Sequence, residues 1–244
     1  MTDNDHESLR MSLRSGLDAM GLVLPVPTQQ RLLEHLALIG RWNRTYNLTA
    51  VRDPAAMVTQ HLLDSLAVLP PLRRHLGLAS ALDGPEFTPG ADCKAAGRVG
   101  RPRRVLDVGS GAGLPGAALA IAEPGCEVTC IDAVAKKSMF VRQVALELQL
   151  SNLQAVHARV EDLTDATGFD VVTSRAFASL ADFVSLTGHV LAEGGAWMAM
   201  KGRVPQEEMA ALPAGVEVFH VEPLTVPGLD AERCLIWMRK RATT

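Results

Sequence analysis

Apolar positions divide the chain into two regions of different period. From Thr28 to about Arg44, Leu32, Leu33, Leu36, Ile39 and Trp42 recur at helical spacing, with Arg31, Glu34, His35 and Arg41 falling largely between them. A second helix opens at Asp53, a good N-cap, with Pro54 in the first helical position. Met57, Val58, His61, Leu62, Leu66 and Leu69 form its apolar face. Pro70 and Pro71 then weaken or end it, because neither supplies an N–H to a continuing helix. From Gly77 to Arg104 the periodicity dissolves into Gly, Pro, Ala and charge, including Gly84-Pro85, Pro89-Gly90 and Arg98, Arg101, Arg103 and Arg104. This stretch reads as a flexible linker whose arginines are either a solvated charge run or a phosphate contact.

After Arg104, short apolar runs alternate with helical patterns, as strands do when crossover helices bury both their faces. The predicted strands are Val105–Val108, Glu127–Ile131, Leu153–His157, Asp170–Ser174, Ala196–Met200, Val216–Val221 and Arg233–Met238. Helices are expected over about Pro115–Ala122, Ala135–Leu148, Leu180–Leu191 and Gln206–Leu212. The succession predicts a doubly wound α/β fold with a mainly parallel sheet. Only Glu222 to Glu232 separates the last two strands, without a helical pattern, so they should pair antiparallel. A Rossmann-like, seven-stranded sheet with an antiparallel last strand is the architecture of class I methyltransferases. The expected organisation is a helical region over 1–76, an irregular linker over 77–103 and the Rossmann-like domain over 104–244.

At 244 residues, 48% hydrophobic and 21% charged, the chain can bury one substantial core with an appendage. Met1 to Arg10 is polar and acidic, unlike a secretory signal, and no apolar run reaches membrane-spanning length, which points to the cytoplasm. Cys93, Cys126, Cys130 and Cys234 lack the paired spacing of a zinc site, so no metal is expected. A net charge of −3 argues against coating nucleic acid by bulk electrostatics, leaving only a local basic face for such contact.

Asp107-Val108-Gly109-Ser110-Gly111-Ala112-Gly113-Leu114-Pro115-Gly116 places a glycine turn between a strand and a helix, the order that brings backbone N–H groups close to a cofactor. Gly111 to Gly116 also satisfies the dinucleotide pattern G-x-G-x-x-G, with Asp132 at about the distance of a ribose ligand. Charge separates the two readings. The Asp107 carboxylate would repel a pyrophosphate by roughly 3 kcal/mol at about 5 Å and an effective dielectric near 20, whereas it attracts the sulfonium and ammonium of S-adenosylmethionine. Asp132, ending the second strand, is placed either to accept ribose hydroxyls or to cap the following helix. Arg159-Val160-Glu161-Asp162 follows the third strand, where an acidic side chain or an amide can meet the adenine edge.

Four further segments make the pattern specific: Trp42 to Thr49 (WNRTYNLT), His61 to Ser65 (HLLDS), Gly113-Leu114-Pro115-Gly116, and Ser174 to Leu180 (SRAFASL). Together they closely resemble the RsmG (GidB) family of bacterial methyltransferases, over about Val26 to Met238. The resemblance implies transfer of a methyl group from S-adenosyl-L-methionine to N7 of a guanine in small-subunit ribosomal RNA. It also implies that Gly109, Leu114, Val160, Glu161 and Arg175 contact the cofactor, and Lys201-Gly202 matches a family motif. The stretch from Gly77 to Arg101 is longer and more irregular than the family's connection.

N7 of guanine has a lone pair and no proton, so direct attack needs no general base, and alignment and electrostatics carry the reaction. Arg175, Asn47 and Lys201 are the catalytic candidates. Arg175 suits the methionine carboxylate or a phosphate, because reading O6 and N7 would occupy the atom being methylated. Asn47 and Phe177 can orient or stack the base, although Phe177 and Trp42 are better explained as core, and His61 with Asp64 equally well as an interhelical contact. Arg41, Arg44, Arg52, Lys136, Lys137, Lys201 and Arg203 form the expected RNA face, a patch so small that a ribosomal particle should supply much of the recognition. The chain is expected to act as a monomer. Rival readings are a small-molecule methyltransferase using the same cofactor and a nicotinamide-dependent oxidoreductase.

Overall fold

A computed structural model of the chain describes residues 3–78, 101–175, 177 and 179–241. It opens with α1 (Asp3–Ala19) and α2 (Val26–Tyr46). The first is hidden in a polar composition: only Leu9, Leu13 and Leu17, four apart, form its buried stripe. Gly16 lets that stripe approach the next helical layer, since a Cβ there would run into the Leu63 side chain. In α2 the expected Leu32, Leu36 and Ile39 are buried, Leu33 and Trp42 are half-buried against them, and Leu38 and His35 join the buried face. Standing three residues after Leu32 and four before Ile39, His35 lies on the stripe and is fully buried, not on the polar side.

Asp53 caps α3 (Pro54–Met57), its carboxylate accepting the Ala56 N–H at 2.9 Å. The chain continues through a π-helical turn (Val58–Leu63) into α4 (Asp64–Leu66). The helix entered at Asp53 does end just ahead of Pro70 and Pro71, at Leu66, but the prolines themselves begin a new helix, α5 (Leu69–Leu76), whose first-turn N–H groups have no helical partner, so prolines forfeit nothing there. Gly77, at φ 63°, closes α5. Residues 79–100, which hold Cys93, Arg98 and most of the expected linker, lie outside the described residues. Of the arginines that follow, Arg104 belongs to no solvated run. It pairs with Asp165 at 2.7 Å, donates to the Gly168 carbonyl at 2.8 Å and lies 4.5 Å over the Phe169 ring.

Seven strands among the described residues form one sheet: β1 (Arg103–Val108), β2 (Cys126–Asp132), β3 (Leu153–His157), β4 (Phe169–Ser174), β5 (Leu191–Lys201), β6 (Val216–Leu224) and β7 (Arg233–Lys240). Their order is β3-β2-β1-β4-β5-β7-β6, parallel from β3 to β5, with β7 antiparallel between β5 and β6. Helices α6 (Gly116–Ala122), α7 (Ala135–Glu147), α8 (Leu180–Thr187) and α9 (Gln206–Ala210) accompany the strands. The helix α8 stops short of the expected Leu191, because β5 starts there and runs through Gly194 and Gly195. Glycines disguise that start, yet Gly195 packs where a Cβ would meet the Phe169 carbonyl at 2.9 Å.

Alternate strand residues supply two layers of core. Val105, Val128, Met198 and Leu235 share one buried cluster with Leu13, Leu36 and Leu62 of the N-terminal helices. Leu106, Val172, Phe183, Trp197 and Ile236 fill the other face. Burial at about 1.5–3 kcal/mol per large apolar side chain therefore fastens the N-terminal helices to the face covered by α6 and α7. Trp42 belongs to this packing, its ring 5.4 Å from that of Phe140. Among the described residues no helix is long and apolar enough to cross a membrane, and no cluster of histidine, cysteine or carboxylate side chains could hold a metal ion.

Candidate active site

The turn after β1 passes through Gly109, Gly111 and Gly113, all at positive φ between 57° and 73°. Glycine is required at Gly111 for conformation alone, since a Cβ there would meet little else; at Gly109 a Cβ would meet nothing within 4 Å. The turn thus leaves space on this side while its back is fastened to the protein. The Gly109 N–H donates to the Ile131 carbonyl at 2.8 Å, and the Gly111 N–H donates to Asp132 Oδ2 at 3.1 Å. Behind it, His35 Nε2 pairs with the Ala112 carbonyl at 3.0 Å. Burial lowers the His35 pKa to about 4, so the ring is neutral near neutrality and donates through that nitrogen. Leu114 is buried under the same turn.

Asp107 occupies a different place from the one its charge suggested. It is fully buried beneath the turn, with Oδ2 accepting the Gly116 N–H at 2.8 Å and Oδ1 without a partner among the described residues. Burial raises its pKa to about 7, against the opposing effects of the Gly116 N–H and the Arg175 charge. Its direct role is to fasten the glycine turn to the start of α6. Gly116 allows this approach, since a Cβ would strike Cys130 Sγ and come within 2.8 Å of Asp107 Oδ2.

Asp132, at the end of β2, also serves the local backbone: Oδ1 accepts the Val134 N–H at 2.8 Å while Oδ2 holds Gly111. Each oxygen keeps a further lone pair for a ligand hydroxyl. After β3, Val160 and Glu161 form a short helical turn in which Val160 is buried against the core and Glu161 is exposed. These features suit an S-adenosylmethionine-sized ligand along the carboxyl ends of β1, β2 and β3, the edge where open α/β sheets bind ligands.

Further along that edge, a cavity of about 390 Å³ lies between the N-terminal helices and the ends of β4 and β5, lined by Gln60, His61, Asp64, Arg175, Lys201 and Arg233. Arg175 Nη1 donates to Asp64 Oδ2 and to the Gln60 carbonyl, both at 3.3 Å. Arg233 Nε donates to Asp64 Oδ1 at 2.7 Å. Lys201 Nζ is held by Glu208 at 2.9 Å, and the same carboxylate accepts the Leu180 N–H. His61 Nε2 pairs with Thr49 Oγ1 at 2.9 Å, and burial lowers its pKa. A second cavity of about 490 Å³ shares Lys201 and Arg233 and adds Arg203.

The other candidates separate. Asn47 is exposed in the left-handed region (φ 50°), where asparagine closes α2. Phe177 is half-buried with its ring 5.3 Å from that of Phe183, which favours its core role over base stacking. In the expected basic face, Arg41 reaches Glu147 at 3.7 Å, Lys137 reaches Asp132 at 3.7 Å, and Lys201 is paired as above. Arg44, Arg52, Lys136 and Arg203 are exposed and have no ion pair among the described residues.

Sequence reasoning missed His35 behind the turn and the partnership of Arg233 with Asp64. Spacing on α2 could have revealed the first. The second joins residues 169 apart in sequence, for which no local pattern exists.

A mostly parallel sheet with one reversed strand, a glycine turn after β1 tied to the carboxylate ending β2, and a cavity after β4 together define a class I methyltransferase fold. The model of the GidB family, rRNA small subunit methyltransferase G, matches residues 28–78 and 92–236, and the chain belongs to this family. Among similar chains, one from Methylibium petroleiphilum is 57% identical over 237 residues, covering 97% of both chains. One from Polaromonas sp. is 56% identical over 227 residues, covering 93% of this chain and 92% of that one. One from Leptothrix cholodnii is 53% identical over 233 residues, covering 96% of both. All three are named ribosomal RNA small subunit methyltransferase G.

Proposed function

We propose that this chain transfers the methyl group of S-adenosyl-L-methionine to N7 of a guanine in small-subunit ribosomal RNA, acting as a monomer on a ribosomal particle. The observation that carries the reading is adjacency: β1, which ends in the glycine turn, pairs directly with β4, which leads into Arg175 and the cavity. Donor and acceptor sites so arranged need no large movement to bring their reacting atoms together. The names of the relatives supply the RNA class.

When bound, S-adenosylmethionine supplies a methyl group activated by its sulfonium. The Asp132 lone pairs would accept its ribose hydroxyls, and the glycine turn, fastened by Asp107 and His35, would hold its backbone N–H groups in place for it. Arg175, fixed by Asp64 and Gln60 in the cavity wall just after β4, would orient an anionic group there. N7 needs no deprotonation, in keeping with a neutral His61 that is already paired with Thr49. Lys201 lines the cavity, and exposed Arg44, Arg52, Lys136 and Arg203 are the side chains offered to the RNA backbone.

The test is transfer of labelled methyl from S-adenosylmethionine by the purified chain, offered small subunits lacking the modification and, separately, a metabolite extract. Labelling of the subunit RNA supports the reading. Labelling of the extract alone assigns a small-molecule acceptor instead, and calorimetric binding of a nicotinamide dinucleotide in place of the methyl donor overturns the cofactor assignment.

A further inference from the structure

We infer that Asp64 is a positioning residue for the acceptor cavity, holding the Arg175 and Arg233 guanidinium groups side by side as one seat for a backbone phosphate of the RNA. The inference rests on the proposed RNA-directed function and deepens it.

The carboxylate is almost completely buried, its side chain only 3% exposed, yet each oxygen takes a different arginine. One arginine follows β4 and the other opens β7, 111 and 169 residues away in sequence. Both arginine side chains remain about a quarter to a third exposed, at 30% and 26%, and both line the cavity. Two cations therefore share one anion, leaving a net positive charge at the cavity wall. The neighbouring Lys201 is already neutralised by Glu208.

The backbone carrying Asp64 is shaped for this contact. The Asp64 N–H reaches back five residues to the Thr59 carbonyl in the π-helical turn, while the Gln60 carbonyl accepts Arg175. Such single-turn π segments recur at functional sites. An acid buried between two arginines that both reach solvent suits a holder of charge better than a stabiliser of the fold. Guanidinium groups held at a fixed spacing match phosphate oxygens, whereas freed ones repel each other and disperse.

The experiment compares the intact chain with Asp64→Asn, which keeps the side-chain shape and removes the charge. With small subunits as substrate, kcat should fall roughly 100-fold, as expected for misplacement of a group at the reacting centre. The salt dependence of subunit binding should lose about 0.7 of its log–log slope, the share of one phosphate on single-stranded RNA. Affinity for S-adenosylhomocysteine should fall far less than kcat, and the thermal midpoint, lowered by loss of a buried ion pair, should fall to a similar degree in Arg233→Gln. Arg233→Gln should reproduce the slope change, and combining the two substitutions should add little, because Asp64 acts through the arginines.

Unaltered kinetics in Asp64→Asn, or full additivity in the double variant, overturns the inference. So does a matched fall in midpoint and S-adenosylhomocysteine affinity with an unchanged slope. Should Asp64→Asn not fold, Arg233→Gln breaks the same bridge from the strand side, and an unchanged slope there overturns it equally. Absence of methyl transfer to small subunits by the unaltered chain would instead remove the function on which the inference stands.

Discussion

Replacing Asp107 by Asn should alter how the stability of the chain depends on pH. Burial lifts the Asp107 pKa from 3.8 to about 7, with Gly116 and Arg175 pulling it back and Asp132 adding to the rise. An acid whose folded pKa exceeds its unfolded value binds more protons in the folded state between the two. Its stabilising contribution is therefore fully present below about pH 4 and is lost as pH rises through about 7. Integrating that shift at about 1.4 kcal/mol per unit gives a loss on the order of 2–3 kcal/mol between roughly pH 5 and pH 8.

Buried histidines act in the opposite direction. His35 and His75 have pKa values lowered to about 4 and that of His61 is also lowered, so their contributions are present above about 6.5 and are lost as pH falls. The informative quantity is consequently the difference between the two proteins at each pH, in which the histidine contributions cancel. Asparagine keeps the shape of the side chain and an acceptor for the Gly116 N–H. Urea unfolding across that range should show Asp107→Asn gaining on the order of 2–3 kcal/mol relative to the unaltered chain as pH rises. A difference that stays flat within about 0.5 kcal/mol would refute the claim that the fold buries this carboxyl at a cost.

Gly116→Ala should lower stability by about 1–3 kcal/mol through overpacking against Cys130 and Asp107, and an unchanged thermal midpoint would contradict that packing. Asp53→Ala removes the carboxylate that caps α3 and should cost about 1 kcal/mol in urea unfolding; no change would mean solvent replaces the cap fully. Arg175→Ala should reduce methyl transfer at least about 100-fold with the unfolding midpoint retained, and normal turnover would remove Arg175 from the site. Neutralising Arg44, Arg52, Lys136 and Arg203 together should lower the salt slope of RNA binding by roughly 3, whereas an unchanged slope would exclude these side chains from the interface.

The sheet and its glycine turn were legible because their signals are local: alternating apolar runs, three glycines around a sharp turn, and an acid at the end of each of two strands. The antiparallel position of β7 followed from the short stretch between β6 and β7. Helix α1 was harder to see, since three leucines in a polar run make a narrow stripe that is stabilised by packing on the π-helical turn, α2 and α3. Pro70 and Pro71 were ambiguous because proline both stops one helix and starts another. Asp107 shows where charge reasoning needs geometry: its sign was evident, but its depth beneath the turn depends on Gly116 and Cys130. Asp64 likewise gains its meaning only when folding brings two distant arginines onto one carboxylate.

Mass spectrometry of small-subunit ribosomal RNA from cells with and without this protein tests the functional assignment most directly. The account predicts one guanine carrying an N7 methyl group only when the protein is present, restored by the unaltered chain and not by Arg175→Ala. Identical methylation patterns in the two RNAs would contradict it.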